Sequence, residues 1–95
     1  MEINETLLER GGTYGKYTSV SQISQDLKKV IRESPNYSTM PAPLQESLDM
    51  IANKISRILN GDPLYEDSWR DISGYATLVL MELEDMEIQS ELDAS

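Results

Sequence analysis

Apolar residues recur at helical spacing along most of the chain, and no segment alternates as a β-strand would. The pattern predicts three main helices, over residues 19–33, 43–60 and 67–86, and a shorter helix over residues 2–10. The stripe of the first main helix consists of Val20, Ile23, Leu27 and Ile31. The chain is therefore predicted to be all-α, a small helical bundle with a short N-terminal helix.

Turn-forming residues separate these helices. Arg10-Gly11-Gly12 ends the short helix, and Ser34-Pro35-Asn36 ends the first main helix. Asn60-Gly61 is typical of a helix C-terminus, with Gly61 expected in the left-handed conformation. Asp62-Pro63 then forces a turn. The last two helices are therefore predicted to form an antiparallel C-terminal hairpin.

The last helix is apolar over more than one face. Trp69 continues its main stripe and is expected in the core, whereas Leu78, Leu80 and Met81 widen the apolar surface. Such a helix is covered on several sides, and in a short chain a second protomer is the expected cover, which predicts a homo-oligomer. Gly74, inside this helix, is expected to allow close helix packing.

Length and charge suggest one domain with an acidic end. The 95 residues support a single domain, predicted over residues 1–86, with a frayed acidic tail over residues 87–95. The net charge of −9 is uneven, because residues 71–95 carry seven acids and no base. This balance argues against direct nucleic-acid binding and against binding to anionic lipid.

The chain contains neither histidine nor cysteine. It therefore lacks the most common general base and the thiolate nucleophile, and any bound metal would be a hard ion such as Mg²⁺. The N-terminus has no apolar signal segment, and no apolar run is long enough to cross a membrane. We expect a cytoplasmic protein without a membrane partner.

A first candidate ligand site is the glycine-spaced segment over residues 10–17. Glycines allow backbone N–H groups to approach a phosphate, Arg10 and Lys16 supply positive charge, and Tyr14 supplies a stacking surface. The spacing is not that of a Walker loop. The structural alternative is a helix stop followed by a turn with partly buried tyrosines.

A second candidate site lies on the facing ends of the last two helices. Lys54 and Arg57 share one helix face, Asp67 and Asp71 share another, and Arg70 lies nearby. One interpretation is structural: Arg57 approaches Asp67 and Lys54 approaches Asp71 as ion pairs. The other is functional: the cations bind phosphate and Tyr65, in the turn, stacks on a base.

A minority interpretation places Mg²⁺ among the acids of these helices, with Asp49, Asp67 and Asp71 as ligands. It is similar to the all-α nucleotide pyrophosphohydrolases, which place paired acids on two successive helices. The nearest matches here are Glu46-x-x-Asp49 and Asp67-x-x-x-Asp71. Neither is that family's pattern, because one residue type and one spacing differ.

The chain resembles a family of short all-α proteins of unknown function encoded by bacteriophages and prophages. The resemblance rests on Glu9-Arg10-Gly11 with Tyr14-Gly15, on Ile23-Ser24-Gln25 with Leu27-Lys28, on the run from Met50 to Pro63, and on Asp67-Ser68-Trp69 through Ala76. It implies the cytoplasm of a host bacterium and an accessory role such as evading host defence. It carries over no catalytic residue.

Three functions follow as hypotheses. The first is a non-enzymatic phage accessory protein that binds a nucleotide or cyclic oligonucleotide through Arg10, Lys16, Lys54, Arg57 and Arg70, with Tyr14 or Tyr65 stacking on a base. The second is an acidic inhibitor of a host enzyme that acts on nucleic acid. The third is the Mg²⁺-dependent pyrophosphohydrolase.

Overall fold

The computed structural model describes residues 15–94, which form three α-helices and one 3₁₀ turn. Helix α1 is Tyr17–Glu33, the 3₁₀ turn is Tyr37–Thr39, α2 is Ala42–Asn60 and α3 is Glu66–Ala94. No strand occurs in this part of the chain, so the predicted all-α fold is confirmed. The short helix predicted over residues 2–10 lies outside the described residues.

The first two helices end close to where the sequence predicts. Helix α1 ends at Glu33, where the Ser34 hydroxyl donates a 2.7 Å hydrogen bond to the Val30 carbonyl before Pro35 prevents another turn. Helix α2 ends at Asn60, and the Gly61 N–H donates to the Arg57 carbonyl at 2.8 Å. The prediction of a left-handed Gly61 is wrong, because its φ is −119°.

Helix α3 is longer than predicted. It continues to Ala94, eight residues beyond the expected end at Met86. Residues 87–94 contain neither proline nor glycine, and the Gln89 amide donates to the Asp93 carboxylate at 2.9 Å, one turn further along the helix. The acidic composition of this segment is therefore compatible with a regular helix.

Helix α2 is the central element. It packs against both α1 and α3, and within residues 15–94 no packing of comparable extent joins α1 to α3. Both neighbours run antiparallel to α2, since Lys16 lies beside Asn60 and Lys54 lies beside Asp71. The predicted C-terminal hairpin is thus present, with the turn at residues 61–65.

The interior is made mostly of small side chains. The buried apolar residues of the described chain are Val20, Ala52 and Ile58, and the buried polar ones are Ser24, Ser47, Ser56 and Ser68. Small side chains at a helix crossing let the two axes approach closely. Gly74 does not serve this purpose, because a Cβ placed there would meet no atom within 4 Å.

Trp69 is not in the core of this chain. Its side chain is 54% exposed, and its indole N–H donates a 2.8 Å hydrogen bond to the Pro63 carbonyl. The prediction of a core tryptophan is therefore wrong within the protomer. The indole instead ties the first turn of α3 to the turn that precedes it.

The molecule is elongated. Its radius of gyration is 16.9 Å, compared with about 12 Å for a compact domain of this length. Its longest dimension is 62 Å and the other two are 26 and 23 Å. No helix in the described part of the chain combines the length and apolarity needed to cross a membrane.

Candidate functional site

Three chain segments meet at one end of the molecule. They are residues 15–17 at the start of α1, the last turn of α2, and the turn of residues 61–65 that leads into α3. The Asn60 side-chain amide lies 3.5 Å from the Lys16 carbonyl. This region, called the turn end below, joins parts of both candidate sites, while Arg10 and Tyr14 lie outside the described residues.

Gly15 makes the close approach at the turn end possible. Its φ is +83°, a conformation that residues with a Cβ adopt at a cost. A Cβ at this position would also collide with the side chain and carbonyl of Asn60. Gly15 therefore sets the path by which the preceding segment enters α1.

Among residues 15–94, no acid in the first turn and no side-chain cap neutralises the N-terminus of α1. Lys16 is the N-cap residue, its side chain makes no capping hydrogen bond, and the first turn contains no acid. The first N–H groups of a helix carry partial positive charge and have no partner within the helix. Lys16 and the following Tyr17 are both exposed. This helix end therefore presents donors and positive charge to solvent.

Lys54 and Asp71 form an ion pair between α2 and α3. The Nζ–Oδ2 distance is 3.0 Å, and the side chains are 13% and 46% exposed respectively. Because the ammonium group is largely buried, Asp71 neutralises it. The structural interpretation of these two residues is the one that the geometry supports.

The first turn of α3 has its own set of polar contacts. Arg70 contacts Asp67 at 2.7 Å and Glu66 at 3.4 Å. The Tyr65 hydroxyl donates to Asp67 at 3.1 Å. These acids occupy the N-terminal turn of α3, where negative charge is stabilised by the helix dipole. The N-terminus of α3 is therefore neutralised, in contrast with that of α1. Arg57, half-buried, lies in the last turn of α2.

Asp49 belongs to a separate cluster towards the other end of α1 and α2. Its Oδ2 lies 3.4 Å from the Arg32 guanidinium, and its buried Oδ1 has no hydrogen-bond partner. The pKa of Arg32 is raised above its usual value, first by a hydrogen bond with the Tyr37 side chain and next by the charge of Asp49. Both interactions stabilise the charged form of Arg32.

The acids proposed as metal ligands are not gathered at one point. Asp49 lies beside Arg32, Asp67 beside Arg70, and Asp71 beside Lys54. Within residues 15–94 no group of three or more acids is arranged to hold a metal ion. The described residues therefore give no support to the minority interpretation of Asp49, Asp67 and Asp71 as Mg²⁺ ligands.

Comparisons of the chain with protein-family models, with curated proteins and with solved structures find no match. The function has to be argued from the turn end and from the helix surfaces.

Sequence reasoning missed two features of these surfaces. Asn60 was interpreted as a helix stop, and its contact with Lys16 depends on the antiparallel packing of α1 on α2. The second feature is an open groove of about 280 Å³ between α1 and α2. The groove is lined by Leu27, Val30, Ile31, Leu48, Ile51, Ala52 and Ile55. The apolar stripes of the two helices were the available signal, but a stripe alone does not show which of its residues stay exposed.

Proposed function

We propose that this protein is a non-catalytic phage accessory protein that binds a nucleotide-type anion at the turn end. The observation that supports this proposal is the N-terminus of α1, where Lys16 stands before a first helical turn with no acid and no side-chain cap. A helix N-terminus with adjacent cations is a favourable place for phosphate, because its N–H groups point at the ligand.

The proposed ligand contacts come from several segments. Lys16 and the first N–H groups of α1 contact phosphate, with Arg57 at the end of α2 adding positive charge. Arg70 would contribute only by exchanging its contacts with Glu66 and Asp67 for the phosphate. Tyr65 offers an aromatic surface for a base, although its hydroxyl is bonded to Asp67. Arg10 and Tyr14 precede this point in the sequence and complete the proposed site. Lys54, paired with Asp71, takes a supporting role.

The contacts of the acidic residues favour binding of the ligand over its hydrolysis. Asp67 and Asp71 are each bonded to a cation, and neither lies in a group that could hold Mg²⁺ within the described residues. A pyrophosphohydrolase needs carboxylates gathered on the metal that orients its water. The hydrolase hypothesis therefore has no support from the geometry of this part of the chain.

Isothermal titration calorimetry against nucleoside phosphates and cyclic oligonucleotides tests the proposal. At least one member of the panel should bind, and Lys16→Glu should weaken its affinity by about tenfold or more, since one charge-assisted contact is worth roughly 1.5–3 kcal/mol. Lys29→Glu is the matched control, because Lys29 is also an exposed lysine of α1 but lies far from its N-terminus. Absence of binding across the panel, or equal losses in both variants, would refute the proposal.

A second candidate is an acidic inhibitor of a host enzyme that acts on nucleic acid. The observation that favours it is the distal half of α3, where residues 82–93 are exposed and carry six acids and no base. Such a surface can compete with DNA for a basic protein. The chain ending at residue 81, which lacks all six of these acids, should then be unable to displace DNA from host DNA-binding proteins. Undiminished displacement by the shortened chain removes this candidate.

A further inference from the structure

The groove between α1 and α2 is part of a wider apolar surface. All seven groove-lining residues are apolar, and the groove is open to solvent. The α2 residues that line it follow the helical repeat, and Leu59, on the same stripe, is also exposed. One side of the α1–α2 pair is therefore apolar along most of its length.

Helix α3 continues this surface on the other side of α2. It contacts α2 through a strip that includes buried Ser68, ion-paired Asp71 and half-buried Val79. Successive residues of an α-helix are about 100° apart around the helix axis. On the side of this strip that faces the groove, α3 therefore presents Trp69, Ala76, Leu80 and Leu83. All four are exposed. The three helices thus form one layer, and one face of this layer, called the apolar face below, presents the stripe of each helix.

The chain exposes more surface than a compact monomer of its mass, and part of this surface lies along the end of α3 that extends past α2. The chain exposes 7137 Å², whereas a folded monomer of 10.7 kDa exposes about 5,500 Å². The excess of about 1,600 Å² is twice the roughly 800 Å² that each partner of a standard interface buries. The surface available is therefore sufficient for a stable dimer.

We propose that a second copy of this chain covers the apolar face. Two three-helix layers would then pack face to face around a shared core, because a single helical layer has to bury its apolar side against a second layer. The contact would be isologous, with the same residues used by both copies about a two-fold axis. This interface adjoins the turn end at Leu59 and Trp69 but does not depend on the proposed ligand.

The distribution of charge favours a like partner over an acidic or basic one. The groove lining contains no charged residue, so a second apolar face matches it without leaving a buried charge unpaired. After Asp71, the next acid of α3 is Glu82. Lys54 lies opposite Asp71, and the two helices are antiparallel, so the start of α2 lies opposite about residue 83 of α3. The part of α3 that follows this residue extends about 16 Å beyond α2. Most of the acidic segment therefore lies beyond the three-helix layer.

Two leucines of α3 provide a matched test. Leu80 lies on the apolar face, while Leu78 lies about 160° away around the helix axis. Their exposures are similar, 58% and 54%, so neither substitution removes a buried side chain. In sedimentation equilibrium the wild-type chain should have twice the 10.7 kDa protomer mass. Leu80→Glu should weaken dimerisation at least about 100-fold, because an apolar interface would bury an unpaired carboxylate, and Leu78→Glu should leave it nearly unchanged.

A second pair of variants tests the other edge of the face. Val30, exposed on α1, lines the groove, and Lys29 is its neighbour on a different side of the helix. Val30→Glu should yield monomers that keep the helical circular dichroism at 222 nm, and Lys29→Glu should yield dimers. A monomeric wild-type chain would overturn the proposal. So would a full chain that is monomeric while the chain without residues 1–14 dimerises, since the N-terminal segment would then be the cover.

Discussion

At the scale of single residues, Gly15 and Gly74 have opposite roles. Gly15→Ala should destabilise the protein by about 2 kcal/mol, because alanine is strained at φ +83° and its Cβ meets Asn60. Gly74→Ala should stabilise it by up to about 1 kcal/mol, since alanine has the higher helix propensity and the added Cβ meets open space. Urea denaturation followed at 222 nm measures both. Equal effects of the two substitutions would contradict the assigned role of Gly15.

The sequence predicted which side of a helix faces its neighbours. It predicted less well which residues on that side are buried. Ile23 and Leu27 lie on the predicted stripe of α1 but remain partly exposed, whereas Ser24 beside them is buried. Ser56 and Ala52 of α2 are also buried. Burial here depends on where two helix axes come closest, and small residues mark that point. Hydrophobicity alone carries no information about the crossing point.

At the scale of helices, the ion pair between α2 and α3 should respond asymmetrically to substitution. Asp71→Ala should cost about 2 kcal/mol, because it leaves the largely buried Lys54 ammonium without its counter-charge. Lys54→Met should cost less than about 1 kcal/mol, because it removes the buried charge and leaves a half-exposed carboxylate that water can solvate. The free energy of unfolding from urea titration measures each change.

Arg70→Ala is the control for this prediction. Arg70 makes two ion pairs within α3, both on exposed side chains, so its removal should change the stability by no more than about 0.5 kcal/mol. If Lys54→Met proved as costly as Asp71→Ala, burial of the ammonium group would not be the cause.

Helix boundaries were predictable where a residue forbids continuation. Pro35 follows the end of α1, and Gly61 with Pro63 follows the end of α2. The end of α3 was not predictable in this way, because residues 87–94 contain no helix breaker and were interpreted as a tail only from their charge. Acidic composition changes the solvation of a helix more than its backbone preference.

The two segments of the candidate site were predictable from the sequence, but their proximity in the structure was not. Lys16 and Asn60 are far apart in sequence, and their proximity follows from the antiparallel packing of α1 on α2. Sequence spacing indicated the Lys54–Asp71 pair as one of two interpretations, since a hairpin with a short turn brings the two residues together. The roles of Arg10 and Tyr14 stay predictions, because both lie outside the described residues.

At the scale of the whole molecule, the elongated shape and the small interior lead us to expect that stability depends on the proposed association. A chain whose described part buries only Val20, Ala52 and Ile58 among its apolar residues lacks the core that usually stabilises a monomer of this size. If the second copy supplies the rest, unfolding is coupled to dissociation, and mass action stabilises the fold as concentration rises. The melting temperature should then increase by about 4 °C for each tenfold increase in protein concentration, as expected for a dimer of two 95-residue chains.

Leu80→Glu separates this effect from ordinary monomer stability. The variant should melt at a lower temperature than the wild type, and its melting temperature should not change with concentration, because the apolar face would no longer associate. Leu78→Glu should retain the wild-type slope, since Leu78 lies on the opposite side of α3 with a similar exposure. Differential scanning calorimetry over a hundredfold concentration range measures all three slopes. A flat wild-type profile would mean that the three helices are stable without a second layer, and the apolar face would then need another explanation.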